Sequence, residues 1–552
     1  MSATKQDLLS IVEMQVNQSP HQRLYAFLNK EVSISHELTY AALYDKAVTI
    51  AAVLQQRRLQ KSPIALLYPH GPDFIVAFLG TILAGAWPMP LTKPRGKDWT
   101  SVLRTIATSG ATTVLTLSST QRLIPQALLH AGRVQVLCTD VPDWPVDVAS
   151  WQRPDVQPHD IAFIQYTSGS TSHPRGVIVT HANVLHNSES IRQRFGCSPE
   201  HVCVSWLPFH HDMGLIGHVI QSLYCGVPNY FLSPADFIGD PLRWLRAISR
   251  CKATISGAPT FAYALCAENG EPFRQDEEPL DLSTWRLAYC GSERIVPSVL
   301  ARFARRFASA SFDKEAFFPC YGMAESTLFV CGQYGVTPSS QTDYPGVGRI
   351  MEQDSIVIVD PLKQRPLPDG TTGEVWLRSS SLSPGYFNDA AATRTTFDQV
   401  LDGVRGYMRT GDLGFIRQGT LHFVGRLKNV FKRRGRTFHA EDIEERVERV
   451  LNTQGITRCA AFTVPNDESD ALILLLEHAS TVSGAMMTTI PTAASTLVCD
   501  EFGIAPDDVQ IVPRRALPLT TSGKLQRERC RERYLESSVK FSVRTQAQGV
   551  VA

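Results

Sequence analysis

The chain has almost no charge imbalance: 54 Lys and Arg face 53 Asp and Glu, a formal net charge of +1. Balance of this kind gives no reason to expect nucleic acid or an anionic membrane surface as the main partner. No pair among its twelve cysteines, from Cys138 to Cys530, has C-x-x-C spacing. A zinc ribbon and a dithiol redox motif are thereby excluded. Met1 to Asp7 lacks the pattern of a cleavable signal, so the cysteines are expected to be buried, reduced thiols in a cytoplasmic protein. Long apolar runs are also scarce. The most membrane-like one, Phe74 to Leu91, is broken by Gly80, Gly85, Pro88 and Pro90, which predicts a buried helix followed by a strand, not a membrane span. Internal repeats and low-complexity tracts are missing too.

What is present is 552 residues, 43% hydrophobic and 19% charged, enough for more than one soluble domain. Leu38-Thr39-Tyr40 opens a helical pattern over Ala41 to Leu54. From Pro63, apolar runs (Ile64 to Leu67, Thr113 to Leu117, Val134 to Cys138) alternate with helical ones (Asp73 to Leu83, Trp99 to Thr108). That alternation predicts a parallel α/β sheet. Thr180 is placed to cap a helix reaching about Phe195, whose His181 and His186 lack the spacing of a metal pair. Gly373 to Leu377 and Ser383-Pro384-Gly385-Tyr386 match a β-rich part. Glu441 to Val450 reads as an amphipathic helix with Ile443, Val447 and Val450 inward, followed by strands near Ala460 to Val464 and Ala471 to Glu477.

Between the apolar runs Ile161 to Ile164 and Val177 to Val179 lies Gln165-Tyr166-Thr167-Ser168-Gly169-Ser170-Thr171-Ser172-His173-Pro174-Arg175-Gly176. Small residues and hydroxyls between two strands let backbone N–H groups approach an anion, and a guanidinium adds donors. This is not the G-x-x-x-x-G-K-[ST] loop, because Val177 follows Gly176 and the chain continues as a strand. The stretch resembles the signature loop of the adenylate-forming superfamily, which includes acyl-CoA synthetases, nonribosomal peptide adenylation domains, luciferases and fatty acyl-AMP ligases. Ser172 and Arg175 stand where Gly and Lys are commoner. Arg keeps the charge, while Ser leaves the backbone less permissive.

Other motifs follow in the family's order. In Phe209-His210-His211-Asp212-Met213-Gly214-Leu215, adjacent side chains of an extended segment point apart, which argues against a metal cluster. By resemblance His211 lies at the acyl carboxylate, and His-Asp-Met-Gly-Leu is most similar to fatty acyl-AMP ligases. Ser256 to Tyr263 reads as a strand end running into a helix beside the acyl pocket. Gly291 and Ser292 match backbone contacts to adenine, with Arg294 in place of the expected Pro. In Phe317 to Thr327, an aromatic next to Gly lets a purine stack and a nearby carboxylate can hold Mg²⁺. The resemblance gives these roles to Tyr321 and Glu325. It also places Gly322, Met323 and Ala324 at the nucleotide, and Thr167 beside Glu325 at the metal. Asp412, a carboxylate expected at a turn, matches the ribose ligand, and Arg426 its partner. Lys428 falls at the family's hinge, with Asn429 replacing an Asp. Lys432-Arg433-Arg434-Gly435-Arg436 reads as a solvated turn, or as a patch facing an acidic carrier. Lys524, in Thr520-Thr521-Ser522-Gly523-Lys524, matches the adenylation lysine.

The resemblance implies an α/β fold. Residues 1–427 would form a large N-terminal domain of two α/β subdomains and a β-rich subdomain, and 428–552 a small mobile α+β domain. It implies ATP and Mg²⁺ as cofactors, a fatty acid as substrate, and acyl-AMP with pyrophosphate as first products. The expected acceptor is the phosphopantetheine thiol of an acyl carrier protein. An extra segment usual in fatty acyl-AMP ligases is missing or much reduced between Cys331 and Gly348, where Ile356 to Asp360 already reads as the next strand. That leaves coenzyme A as a competing acceptor. A catalytically silent adenylate binder is the third reading.

Overall fold

The apolar runs of the first half pair into parallel sheets, as their alternation with helices predicts. A computed structural model describes residues 7–94, 99–125, 134–141, 147–167, 174–268, 279–335, 344–433, 436–465, 470–480, 486–520 and 524–541. These fall into two compact units, one of the described residues up to Thr167 and from Arg175 to Val424, the other of Pro174 and the described residues from Gly425 on.

In the first unit, Trp87–Pro90, Pro63–Leu67, Thr113–Thr116 and Gln135–Cys138 form a four-stranded sheet in that order, parallel throughout. An eight-stranded sheet runs Phe329–Gly332, Phe317–Gly322, Leu287–Cys290, Ile255–Ala258, Cys203–Ser205, Asn229–Phe231, Arg23–Leu28, Ile34–Thr39. Its inner strands are parallel and each edge is an antiparallel pair. Helices between parallel strands cover the faces, so the strands are buried on both sides and read as short apolar runs. A five-stranded antiparallel sheet follows, with Val404–Arg417 pairing Gly373–Arg378, Gln399–Leu401 and Thr420–Arg426.

Local chemistry places the helix ends. Thr39 accepts from the Ala42 N–H at 3.2 Å and opens Tyr40–Gln56. Thr180 and Asn183 form a reciprocal capping box on His181–Phe195, closed by Gly196 in the left-handed conformation. Burial then fixes the layers: Trp244, Trp285, Tyr263, Phe303 and Phe317 pack edge to face within one core. Each such side chain contributes about 1.5–3 kcal/mol relative to exposure. The run from Phe74 divides into helix Pro72–Leu83 and strand Trp87–Pro90. No helix among the described residues is long and apolar enough to cross a membrane.

The second unit packs helices Ala440–Leu451 and Met486–Phe502 on the sheet Ile456–Val464, Ala471–His478, Asp508–Val512. Ile443 and Val447 point inward, but Val450 is 37% exposed and Leu451 takes the inward place. Four residues, not three, return to the same face here. Within the basic cluster, Lys432 and Arg436 are exposed, and two of the arginines have partners in the same unit. Arg433 pairs with Asp507 at 2.7 Å and donates to the Ala505 carbonyl, and Arg436 donates to the Phe502 carbonyl at the end of a helix. These arginines fasten the hairpin Val430–Arg433/Arg436–His439 to its neighbours; Arg434 lies outside the described residues.

Candidate active site

Strands Ile161–Thr167 and Arg175–Thr180 form an antiparallel hairpin that closes on the pair Thr167/Arg175. Ser168, Gly169, Ser170, Thr171 and Ser172 lie outside the described residues. The Thr167 hydroxyl is 3.4 Å from the Arg175 carbonyl. Ser383 to Tyr386 does not join the β-rich sheet. Instead it lies along this hairpin, with the Ile178 N–H donating to the Gly385 carbonyl and the Phe387 N–H to the Gly176 carbonyl. That pairing sets Tyr386 beside Arg175, whose guanidinium is 5.2 Å from the ring centroid and 3.8 Å from Asp389. The Tyr386 hydroxyl donates to Glu325 Oε1 at 2.9 Å. Burial and then the Glu325 charge push the phenol well above its ordinary range, so it remains a donor.

Glu325 sits in a chain reversal just past strand Phe317–Gly322. The Met323 N–H donates to the Leu328 carbonyl at 2.8 Å, and the Leu328 N–H to Ser326 at 2.7 Å, a γ-turn centred on Thr327. Thr327 has φ +63° and ψ −65°, a conformation that a β-branched residue adopts at a cost of about 1–3 kcal/mol. Several contacts hold it there. Asn187 donates to Phe329 and Ser326 carbonyls and accepts the Phe329 N–H, and the Thr327 hydroxyl donates to Ser381 at 2.7 Å. Gly322 is required: a Cβ there would lie 1.9 Å from the Leu328 carbonyl oxygen.

Tyr321 and Asp412 meet directly, the buried phenol donating to Asp412 Oδ2 at 2.7 Å. The Tyr321 ring also stacks with Phe423 at 5.8 Å, and its hydroxyl is 3.9 Å from Met323 Sδ. Asp412 lies inside strand Val404–Arg417, not at a free turn. An irregular register opposite Glu374–Trp376 and Gly411 at φ +68° bend the strand around it. Gly291 lets the ends of two parallel strands close up, since a Cβ would meet Cys320 Sγ at 2.7 Å. Ser292 follows at φ +71°. The turn is held by Glu293, which accepts the Phe261 N–H at 2.8 Å at the start of helix Thr260–Glu268, and by the Thr260 hydroxyl on the Arg294 carbonyl. Together these groups supply carboxylate and hydroxyl oxygens, the donors Mg²⁺ prefers, beside bare backbone that a planar base can approach.

Gln165 Nε2 donates to the His210 carbonyl at 2.8 Å and so ties the hairpin to the His-His-Asp segment. The chain does not stay extended there. His211 precedes a helical turn at Asp212–Gly214, and its Nδ1 is 2.6 Å from Asp212 Oδ1, so these two side chains converge. The helix then passes through a π-helical stretch, Leu215–Ile220. Buried His218 there accepts from Asn229 at 3.0 Å and bonds the Tyr289 hydroxyl; burial pushes its imidazole down to about 3. Sequence reasoning missed His218, Tyr386 and Glu293. The π-helix sets His218 apart, the long-range pairing with Val177 sets Tyr386 apart, and the bond from the Phe261 N–H sets Glu293 apart.

In the second unit, Arg426 ends strand Thr420–Arg426 and Lys428 lies in the short turn Leu427–Asn429. Asn429 donates to Glu441 within the same unit. Lys524 closes a loop whose feet pair at Leu519/Leu525. Its carbonyl accepts the Thr520 N–H at 2.7 Å and its N–H donates to the Thr520 hydroxyl at 3.0 Å.

Comparison with known proteins shows the family. Residues 12–387 match the AMP-binding enzyme family, and 428–544 match the AMP domain of the Disco-interacting protein 2-like family. The chain is 32% identical to a medium-chain-fatty-acid–[acyl-carrier-protein] ligase of Teredinibacter turnerae, over 94% of this chain and 92% of that protein. It is 31% identical to a ligase of the same description from Moorena producens, over 96% of this chain and 95% of that one. A solved structure from a study of fatty acyl-adenylate ligases of E. coli and L. pneumophila superposes with a TM-score of 0.86 at 27% identity, covering 97% of this chain and 99% of the other. With the signature hairpin, the Tyr321–Asp412 pair and the Glu325 turn on one α/β scaffold, the chain belongs to the AMP-binding enzyme family and is an adenylate-forming ligase.

Proposed function

We propose that this chain activates a medium-chain fatty acid with ATP and passes the acyl group to the phosphopantetheine thiol of an acyl carrier protein. The observation that carries the reading is the Glu325–Tyr386–Arg175 chain of contacts at the mouth of the hairpin, in a protein 32% identical to a ligase so described. A fatty carboxylate oxygen attacks the α-phosphorus, the bond to the β-phosphate oxygen breaks, and pyrophosphate leaves. Carboxylate and phosphate repel, so the protein must align them and neutralise charge. Arg175 and the loop N–H groups hold phosphate oxygens, Tyr321 and Gly291 to Ser292 hold the base, and Asp412 with Arg426 holds the ribose. Gly322, Met323 and Ala324 line the nucleotide. Mg²⁺, held by Glu325 and Thr167, would neutralise phosphate charge. Lys524 donates to the carboxylate and the α-phosphate as they join, with His211 beside the acyl carboxylate. A thiolate then attacks the acyl carbon, the C–S bond forms and AMP leaves.

Residues 428–552 act as the mobile domain that delivers Lys524, turning at Lys428. A cytoplasmic location belongs to the same reading, and the twelve cysteines are free thiols. Coenzyme A remains the second acceptor, favoured by the short segment from Cys331 to Gly348. The test incubates protein, ATP, Mg²⁺ and mixed fatty acids, then adds coenzyme A or a phosphopantetheinylated carrier, with mass spectrometry as readout. Acyl-AMP that survives coenzyme A but loads the carrier supports the proposal, and rapid acyl-CoA formation replaces it with the second reading. Absence of any adenylate would overturn both. Lys524→Ala should slow adenylation about 100- to 1000-fold.

A further inference from the structure

We propose that Arg527 is a positioning residue for Lys524, joining the lysine loop to the hinge turn through a buried ion cluster; this rests on the roles given above to Lys524 and Lys428. Arg527 opens helix Arg527–Phe541, three residues beyond Lys524. Its Nε donates to Glu444 Oε1 at 2.7 Å, and a second guanidinium nitrogen binds the other oxygen of that carboxylate. A third nitrogen lies 3.3 Å from Glu441 Oε1, the same oxygen that accepts from Asn429, the residue after Lys428. Glu444 also accepts the Ala461 N–H at 2.8 Å. One guanidinium thus connects the foot of the lysine loop to helix Ala440–Leu451, to strand Ile456–Val464 and, through Glu441, to the hinge turn.

Stability alone does not account for this cluster. Arg527, Glu441 and Glu444 are only 19%, 16% and 8% exposed. Two carboxylates on one guanidinium leave an unbalanced buried charge, and apolar replacements of such clusters are often neutral or stabilising. What an apolar side chain cannot supply is the planar fork that fixes two helices and a turn in one orientation. Among the described residues, the Thr520–Lys524 bonds, the Leu519/Leu525 pairing and the Gln526 N–H on the Pro518 carbonyl hold the feet of the lysine loop together, and Leu525 packs on the core around Phe462 and Leu517. Arg527 makes that loop and the hinge turn one body, so that rotation at Lys428 carries Lys524 to a defined place.

The experiment compares Arg527→Gln, Lys524→Ala and the double variant in two half-reactions. Adenylation is read by pyrophosphate release, and transfer by supplying synthetic acyl-AMP with whichever thiol acceptor the wild type uses. Arg527→Gln should lower kcat for adenylation about 10- to 100-fold, as misplacement of a reacting group by about 1 Å does. KM for ATP and transfer from acyl-AMP should stay within about threefold of wild type. The double variant should adenylate no more slowly than Lys524→Ala alone, because Arg527 acts through the lysine. Additive losses, or equal loss of both half-reactions, would overturn the inference. Normal adenylation by Lys524→Ala would sink the reading of the lysine instead. Should Arg527→Gln fail to fold, Glu441→Ala cuts the link to Asn429 while leaving the Arg527–Glu444 fork. It should lower adenylation with an unchanged melting temperature, and full activity in that variant would refute the coupling.

Discussion

Tyr386→Phe removes one oxygen and tests the hold on Glu325. The phenylalanine ring remains within reach of the Arg175 guanidinium, and the backbone bridge between Val177 and Tyr386 is untouched. Lost is the hydroxyl that donates to Glu325 Oε1 at 2.9 Å. A hydrogen bond to an ionised acceptor contributes about 1.5–3 kcal/mol. Tyr386 is 7% exposed but the carboxylate is partly open to solvent, so the lower end applies. About 1.5–2 kcal/mol corresponds to a roughly 10- to 30-fold higher Mg²⁺ concentration for half-maximal activity. The assay is pyrophosphate release against Mg²⁺ at saturating ATP and fatty acid. At saturating Mg²⁺, kcat should recover to within about threefold of wild type, since no reacting atom has moved. An unchanged Mg²⁺ curve, or a fall in kcat that Mg²⁺ does not restore, would refute the reasoning.

Three further outcomes are expected. Tyr321→Phe leaves Asp412 without its 2.7 Å donor and should raise KM for ATP about tenfold, by the same hydrogen-bond scale, without changing KM for the fatty acid. Glu293→Ala releases the turn at Ser292 and should also weaken ATP, while Glu293→Gln, which still offers an oxygen to the Phe261 N–H, should restore most of it; equal defects in both variants would count against the pinning role. Burial, with the Glu444 charge adding to it against the Cys459 N–H and nearby arginines, pushes Glu448 from 4.5 up to about 7. Native protein then holds a proton that unfolded protein releases, so this contribution is complete below pH 4.5 and is lost as pH rises through about 7. Glu448→Gln should flatten that fall and melt later than wild type at about pH 8, by up to about 3 kcal/mol, with little difference near pH 4.5.

Local patterns were legible where local physics decides. The hairpin strands, the Thr180 cap and the helix and strand within Phe74 to Leu91 follow from periodicity and capping chemistry alone. Candidates for the site were legible where a motif is contiguous, as from Tyr321 to Glu325. Tyr386 was not, because its role comes from backbone pairing with Val177, a partner about two hundred residues away that no period reveals. The reading of an extended His-His-Asp segment failed for a related reason. Its turn depends on close packing at Gly214, where a Cβ would meet the Pro208 carbonyl oxygen at 2.2 Å. Composition records the charge of Arg433 and Arg436 but not the Asp507 carboxylate and Phe502 carbonyl that meet it.

The reversal at Thr327 has a consequence for how this protein would change under selection. A backbone held at φ +63° by Asn187 and Ser381 is a compressed spring beside Glu325, and glycine at that position would relax it. Selection for heat resistance alone would therefore favour softening the turn, at the expense of the backbone that fixes where the Glu325 carboxylate stands. Selection for turnover would keep the spring loaded and place its stabilising changes elsewhere, so the tension between endurance and activity is concentrated at one residue that touches no reacting atom.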